Sequence, residues 1–190
     1  MAKQKAATSK DLQEKRSEVR EEKEFESKTV ELSRVTRVTK GGKRMRFRSL
    51  ILIGDKKGRI GYGVAKGADV AISISKSTRK AKKNLMAIPL LNETIPYEVD
   101  AKFGAAKVLI KPAPRGAGIK AGGALRLVLE LAGVPNAVGK LLGSKNKINN
   151  IKATFEALKK LRVEKIIKSE IRNTKSETNS NDSNSEVSNI

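Results

Sequence analysis

The residues of this chain with the clearest chemistry are cationic and closely spaced. Lys40-Gly41-Gly42-Lys43-Arg44-Met45-Arg46-Phe47-Arg48 carries five positive side chains in nine positions. Guanidinium groups fork onto phosphate oxygens, and adjacent glycines let backbone amides approach the same anion. Arg34 and Arg37 precede this run, Lys56, Lys57, Arg59 and Lys66 follow it, and Lys76, Arg79, Lys80 and Lys83 come next. Residues 34–83 hold 16 Lys or Arg against two acids, Asp55 and Asp69. A field so one-sided repels itself and calls for a polyanion from outside.

What is missing narrows the chemistry further. The 190 residues contain no His and no Cys, which excludes disulfides, the usual zinc sites, a Ser-His-Asp triad and a Cys nucleophile. No apolar run approaches the roughly 18 to 20 residues of a spanning helix, and the N-terminus lacks the apolar core of a secretory signal. The expectation is a soluble, cytoplasmic protein with no cofactor, no metal, no membrane contact and no small-molecule substrate. Aromatic residues make up 3% and Trp is absent, so recognition of single strands by base stacking is disfavoured and recognition of folded RNA by shape and phosphate is favoured.

The positive excess is local. Residues 1–27 carry seven basic and seven acidic groups, residues 28–163 carry 30 and 8, and residues 164–190 carry four and five. The chain therefore divides into a charged N-terminal extension (1–28), a basic first domain (29–92), a second domain (93–163) and a Ser/Asn-rich tail (164–190) too polar to bury a core.

The elements that must position the cations can be read from periodicity. Val30 and Leu32 alternate and then slip to Val35 and Val38, which predicts a bulged strand from about Thr29. Lys40 to Lys43 is a hairpin turn, and Arg46 to Ile53 returns as a strand with Phe47, Ile51 and Ile53 on one face and Arg46 and Arg48 on the other. After a turn at Asp55–Gly58, a third strand points Ile60, Tyr62 and Val64 inward. Gly61 and Gly63 face outward and leave a bare face that a helix or a nucleic-acid backbone could approach. Asp69 caps a helix reaching about Ala87, with Val70, Ile74, Ala81 and Leu85 within an arc of about 60° and Lys76, Arg79, Lys80 and Lys83 opposite. This block reads β-β-β-α.

In the second block, strands are expected at Tyr97–Ala101 and Ala106–Lys111. A glycine-rich loop, Arg115 to Gly123, opens a nearly all-apolar helix, Ala124–Ala132, stopped by Gly133 and Pro135. Ala137–Leu142 reads as a strand. A last helix, capped by Asn149 or Asn150, turns Ile151, Phe155, Leu158 and Leu161 to the core, giving a βαβα order. Glycines before a helix can cradle a phosphate, which raises a small-molecule kinase as an alternative. Glu130 is the sole carboxylate between Ala101 and Phe155, and the loop has no Ser or Thr. Ligands for magnesium and a base for the attacking hydroxyl are thus lacking. Each block, at about 60 to 70 residues, has a size at which one core supplies modest stability.

The run SRVTRVTKGGKRMRFRSLILIGDKKGRIGYGVAKG, the basic helix after it, and PAPRGAGIKAGGALRLVLELAGVPNAVGKLLGSKNKINNIKATFEAL together resemble bacterial small-subunit ribosomal protein five over roughly residues 29–163. The resemblance implies an α+β protein of two small domains, the first like double-stranded-RNA-binding domains and the second of that family's own βαβα type. It implies a structural, non-enzymatic protein bound to the ribosome, with small-subunit rRNA as partner at the head–body junction. The hairpin matching Lys40–Arg44 would reach toward the head hinge, and Arg34 or Arg37 would lie near mRNA at its entry path. The second domain would contact small-subunit proteins four and eight. The segment with Arg115, Gly116, Gly118, Lys120, Gly122 and Gly123 would form the interface with protein four that affects translational accuracy. Ala117 stands where that family's pattern has a small hydroxyl, and Lys120 where it has an apolar residue. Against this reading stand two alternatives: a free nucleic-acid chaperone, which would share the charge but not need the second domain, and the kinase.

Overall fold

The computed structural model describes residues 25–161. The charged arm at 1–24 and the Ser/Asn-rich tail lie outside the described residues. Among the described residues the fold is α+β, two four-stranded sheets with three helices.

The first sheet has strand order β1-β2-β3-β4, formed by Glu26–Thr39, Gly42–Gly54, Arg59–Gly67 and Leu85–Ala87. Its first strand starts at Glu26, three residues before the expected start. The bulge lies at Thr29–Glu31, upstream of the slip in the apolar pattern, and it turns Leu32 outward, 46% exposed. The expected helix is α1, Val70–Lys83, capped by the Asp69 carboxylate on the Val70 amide at 2.7 Å. It ends at Asn84, so Leu85 belongs to β4, a short edge strand that periodicity did not resolve from the helix.

Both faces of this sheet are covered. Ser49, Ile51 and Ile53 of β2 face α1, where Ile51 and Ile53 pack with Ala81, Phe25 and Ile74 and the Ser49 and Ser77 hydroxyls pair at 2.6 Å. Gly61, Gly63 and Gly67 lie under the same helix, and a methyl at any of them would collide with its backbone. The bare glycine face is therefore the seat of α1, not an approach for nucleic acid. The helix buries Ser73, Ser77 and Ala81, because only small side chains allow a backbone to lie this close to a strand.

The opposite face, with Leu50, Leu52 and Ile60, joins the core of the second half. That half forms a sheet of order β5-β6-β8-β7: Val99–Phe103, Ala106–Pro112, Ala137–Gly143 and Ile119–Lys120. Its two helices are α2, Gly123–Ala132, and α3, Lys147–Lys159. The short β7 inside the glycine-rich loop runs parallel to β8 and was too brief for periodicity to show. Asn146, rather than Asn149 or Asn150, caps α3 by accepting from the Ile148 amide at 3.0 Å; Asn150 is buried within the helix. Ile151, Phe155, Leu158 and Leu161 are buried as the periodicity predicts.

One apolar cluster runs from Leu50, Leu52 and Ile60 through Leu125, Leu129 and Val128 to Ile151, Phe155 and Leu158. Tyr62 meets Phe155 edge-on, with centroids 4.6 Å apart. The two halves thus share this large core, with only the small Ile51–Ile53–Ala81 cluster under α1 lying apart from it, which removes the size penalty expected of separate blocks.

Candidate nucleic-acid interface

The β1–β2 hairpin is longer than the sheet that carries it. β3 pairs with β2 only from Phe47 onward, and Phe47 stands opposite Arg34, so Val35 to Arg46 project beyond the third strand as a two-stranded ribbon. Thr39 faces Gly42 across a two-residue turn, Lys40-Gly41, and the Thr39 hydroxyl donates to the Gly42 carbonyl at 3.1 Å. Gly42 sits at φ +144°, and nothing approaches Gly41 or Gly42. The tip therefore presents Lys40, Lys43 and open backbone to solvent.

Pairing register decides which cations meet. Arg37 stands directly opposite Arg44, Val35 opposite Arg46, and Ser33 opposite Arg48. Arg48 is in turn opposite Lys66 of β3. These residues share the face that continues into Leu50 and Leu52. Val35, Thr36, Arg37, Arg44, Arg46 and Lys66 line a hollow of about 280 Å³. A second one, about 220 Å³, adds Met45, Gly67, Ala68 and Lys76 to Arg44, Arg46 and Lys66. Like charges directly opposite in a sheet destabilise it, and Arg37, Arg44, Arg46 and Lys66 have no acidic partner among the described residues. The arrangement is that of a cradle for phosphate oxygens, in which an incoming polyanion relieves the repulsion.

The remaining predicted cations are spread over the ribbon, α1 and the β2–β3 turn. Arg34 lies on the other face of the ribbon, opposite Phe47. Lys76, Arg79, Lys80 and Lys83 are exposed along α1, with Lys80 tied to the Val64 carbonyl at 3.2 Å. Lys56 and Arg59 are engaged within the chain. Lys56 pairs with Glu26 at 2.6 Å, and this hydrogen bond lowers the Glu26 pKa and raises that of Lys56. Arg59 pairs with Asp55 at 2.6 Å and stacks its guanidinium over Phe25. Lys57 is exposed on the same turn. Arg48 is half-buried and lies 3.8 Å from Glu31.

The glycine-rich loop is organised by two polar residues that sequence reasoning missed. Buried Asn136 accepts from the Gly118 amide at 3.1 Å and donates to the Glu93 carbonyl at 3.4 Å. Thr94 donates to the Asn136 carbonyl at 2.7 Å and accepts from the Ala113 amide at 3.2 Å. Only their polarity beside prolines and glycines hinted at this. Gly116 and Gly118 have positive φ, +84° and +69°, and nothing crowds them. Arg115 lies 4.0 Å from Glu93, Lys120 is in β7, Gly122 caps α2, and Gly123 opens into solvent. The loop is tied down at Gly118, whose amide donates to Asn136 and whose carbonyl accepts from the Ala137 amide, while Arg115, Gly116, Lys120, Gly122 and Gly123 are exposed. Glu130, the one acid on α2, is bound to Lys28 at 2.8 Å, and no cluster of three metal-ligating groups occurs among the described residues.

A cationic hairpin fixed to a two-sided sheet makes this an α+β protein whose candidate site has the chemistry of a phosphate-binding surface. Sequence-family comparison makes that class specific. The N-terminal domain of ribosomal protein S5 matches residues 25–89, and the C-terminal domain of ribosomal protein S5 matches residues 101–170. The chain belongs to the ribosomal protein S5 family. It is a non-enzymatic constituent of the small ribosomal subunit that binds rRNA, which disposes of the kinase alternative.

Proposed function

We propose that the protein binds small-subunit rRNA at the junction of head and body, steadies the orientation of the head, and contributes to translational accuracy through contact with small-subunit protein four. The observation that carries this reading is the Arg37–Arg44 pair with Arg46 and Lys66 beside it, a cluster that has no acidic partner among the described residues and lies where the hairpin projects from the body of the fold. The hairpin and α1 supply the rRNA contacts, with Lys40, Gly41, Gly42 and Lys43 at the tip reaching toward the head and Arg34 or Arg37 near mRNA at its entry path. Lys and Arg displace counterions at converging phosphates, so binding is electrostatic and architectural.

The loop of Arg115, Gly116, Gly118, Lys120, Gly122 and Gly123 meets protein four, and the second domain also meets protein eight. Because the loop and the hairpin stand on one shared core, a change at either contact biases the same rigid unit, and with it an open-to-closed equilibrium of the subunit. The test pairs sedimentation with decoding. Cells carrying Arg44→Glu/Arg46→Glu should lose small-subunit yield, whereas Arg115→Ala/Lys120→Ala should assemble but change stop-codon readthrough. Normal yield in the first strain, or unchanged readthrough in the second, would remove the corresponding part of the reading.

A further inference from the structure

The second sheet has one face packed on α2 and α3 and, among the described residues, one face without a covering element. Alternation sends Val99, Ala101, Val108, Ile110 and Ala137 inward, all buried. The outward residues are set by the strand register. Lys102 faces Lys107, which faces Leu142; Asp100 faces Leu109, which faces Lys140; Lys111 faces Val138, which is also paired with Lys120. Leu109, Val138 and Leu142 therefore surround Lys140, and the outer lysines ring them. Val138 and Leu142 are 40% and 41% exposed, although β-branched and aliphatic side chains on a solvated sheet face are ordinarily replaced by polar ones.

The charges of this face differ in kind from those of the hairpin. Lys107 lies 4.0 Å from Asp100, and Lys111 is paired with Glu98 at 3.2 Å. Lys102, Lys120 and Lys140 have no acidic partner among the described residues. A polyanion would gain nothing from the three aliphatic side chains, and two of the five lysines it could meet are already engaged by Asp100 and Glu98. Aliphatic side chains at the centre, charges of both signs around them and an excess of lysine instead match the anatomy of a protein interface with an acidic partner. The excess of positive charge also argues against a second copy of this chain.

We infer that this open face, Leu109, Val138 and Leu142 within a lysine rim, is a docking surface for an acidic protein surface of the small subunit that offers carboxylates to Lys102, Lys120 and Lys140. This rests on the ribosomal reading above and adds the face and the chemistry of the partner. The test is amine labelling of the full chain, free and in purified small subunits, with zero-length carbodiimide coupling of lysine amines to carboxylates in the subunit. Labelling of Lys102, Lys120 and Lys140 should slow by at least about fivefold on assembly, as exclusion of water at an interface demands, and they should cross-link to Asp or Glu of another protein chain. Val138→Asp/Leu142→Asp, both at exposed positions, should abolish those cross-links while leaving rRNA binding by the purified chain unchanged. Full reactivity in the subunit, ultraviolet adducts of β6 or β8 with rRNA, or protection without a carboxylate cross-link would each overturn the inference. Absence of the chain from small subunits would remove the ribosomal reading and this one together.

Discussion

The Gly58 amide donates to the Ala132 carbonyl at 2.8 Å, and the neighbouring Lys56 amide donates to the Leu131 carbonyl at 3.1 Å. The last four carbonyls of a helix have no partner within it. In α2, those of Leu129 and Glu130 accept from Val134 and Gly133, and those of Leu131 and Ala132 accept from the β2–β3 turn of the other domain. The end of one domain's helix is thus completed by the other's turn, and the Lys28–Glu130 ion pair crosses the same seam.

Gly133 makes that closeness possible. It sits at φ +78°, and a methyl there would collide with the Lys56 carbonyl. Gly133→Ala should therefore cost about 2–4 kcal/mol, combining a left-handed backbone penalty with steric displacement of the seam. Urea unfolding followed by far-ultraviolet dichroism checks this. A midpoint unchanged from the parent would mean that the seam does not contribute to stability.

The turn that feeds the seam is held by Asp55. Its Oδ1 accepts from the Lys57 and Arg59 amides at 2.8 and 3.0 Å, and its Oδ2 accepts from Arg59 Nε at 2.6 Å. Burial raises its pKa, but the Arg59 hydrogen bond, the two amides and the Arg59 charge together outweigh this, and the net shift is downward. A folded-state pKa below the unfolded one gives stability that is fully present above the ordinary carboxylate range and is lost as pH falls through the depressed value. Asp55→Asn should therefore be less stable than the parent at neutral pH, by about 1–3 kcal/mol. The gap should close as the solution is acidified below the unfolded-state pKa of about 4. A gap that stays constant with pH, measured by denaturant titration, would count against the carboxylate's role.

Much of this architecture was readable beforehand where it depends on local signals. The α2 stop at Gly133, the hairpin turn, and the burial of Ile151, Phe155 and Leu158 follow from turn chemistry and helical period. Glycines carry no hydropathy sign, so Gly61 and Gly63 could not declare whether a helix or a ligand lay over them. Lys56 looked like surface charge because its partner Glu26 is 30 positions away in the chain. Asn146, Asn149 and Asn150 are equally good caps by composition, and only the packing of α3 selects the first. The cross-strand meeting of Arg37 with Arg44 is a matter of register, which a two-residue turn fixes but charge counting does not show.

The glycines of β3 and α2 should respond oppositely to the same substitution. Gly63→Ala forces a methyl against the Ser77 carbonyl, with no flexible side chain to yield, and should destabilise by about 2–4 kcal/mol. Gly123→Ala meets nothing within 4 Å at the first position of α2 and should be neutral or stabilise by up to about 1 kcal/mol through helix propensity. Thermal melts of the two variants decide the matter. Equal destabilisation would show that Gly123 is constrained in a way its open surroundings do not reveal.

Cations that meet RNA and cations that hold the fold should differ in how their removal changes the salt dependence of binding. Each phosphate neutralised adds close to one unit to the slope of log affinity against log salt. Arg44→Gln/Arg46→Gln should therefore lower the slope for small-subunit rRNA by about two and weaken binding at every salt concentration. Lys56→Gln removes an ion pair with Glu26 at the seam and should leave the slope nearly unchanged, with whatever loss it causes appearing in stability. Filter binding across a salt series measures both. If the Lys56 variant lowers the slope as much as the hairpin pair does, the β2–β3 turn is part of the RNA surface, and the line drawn between Arg46 and Lys56 is misplaced.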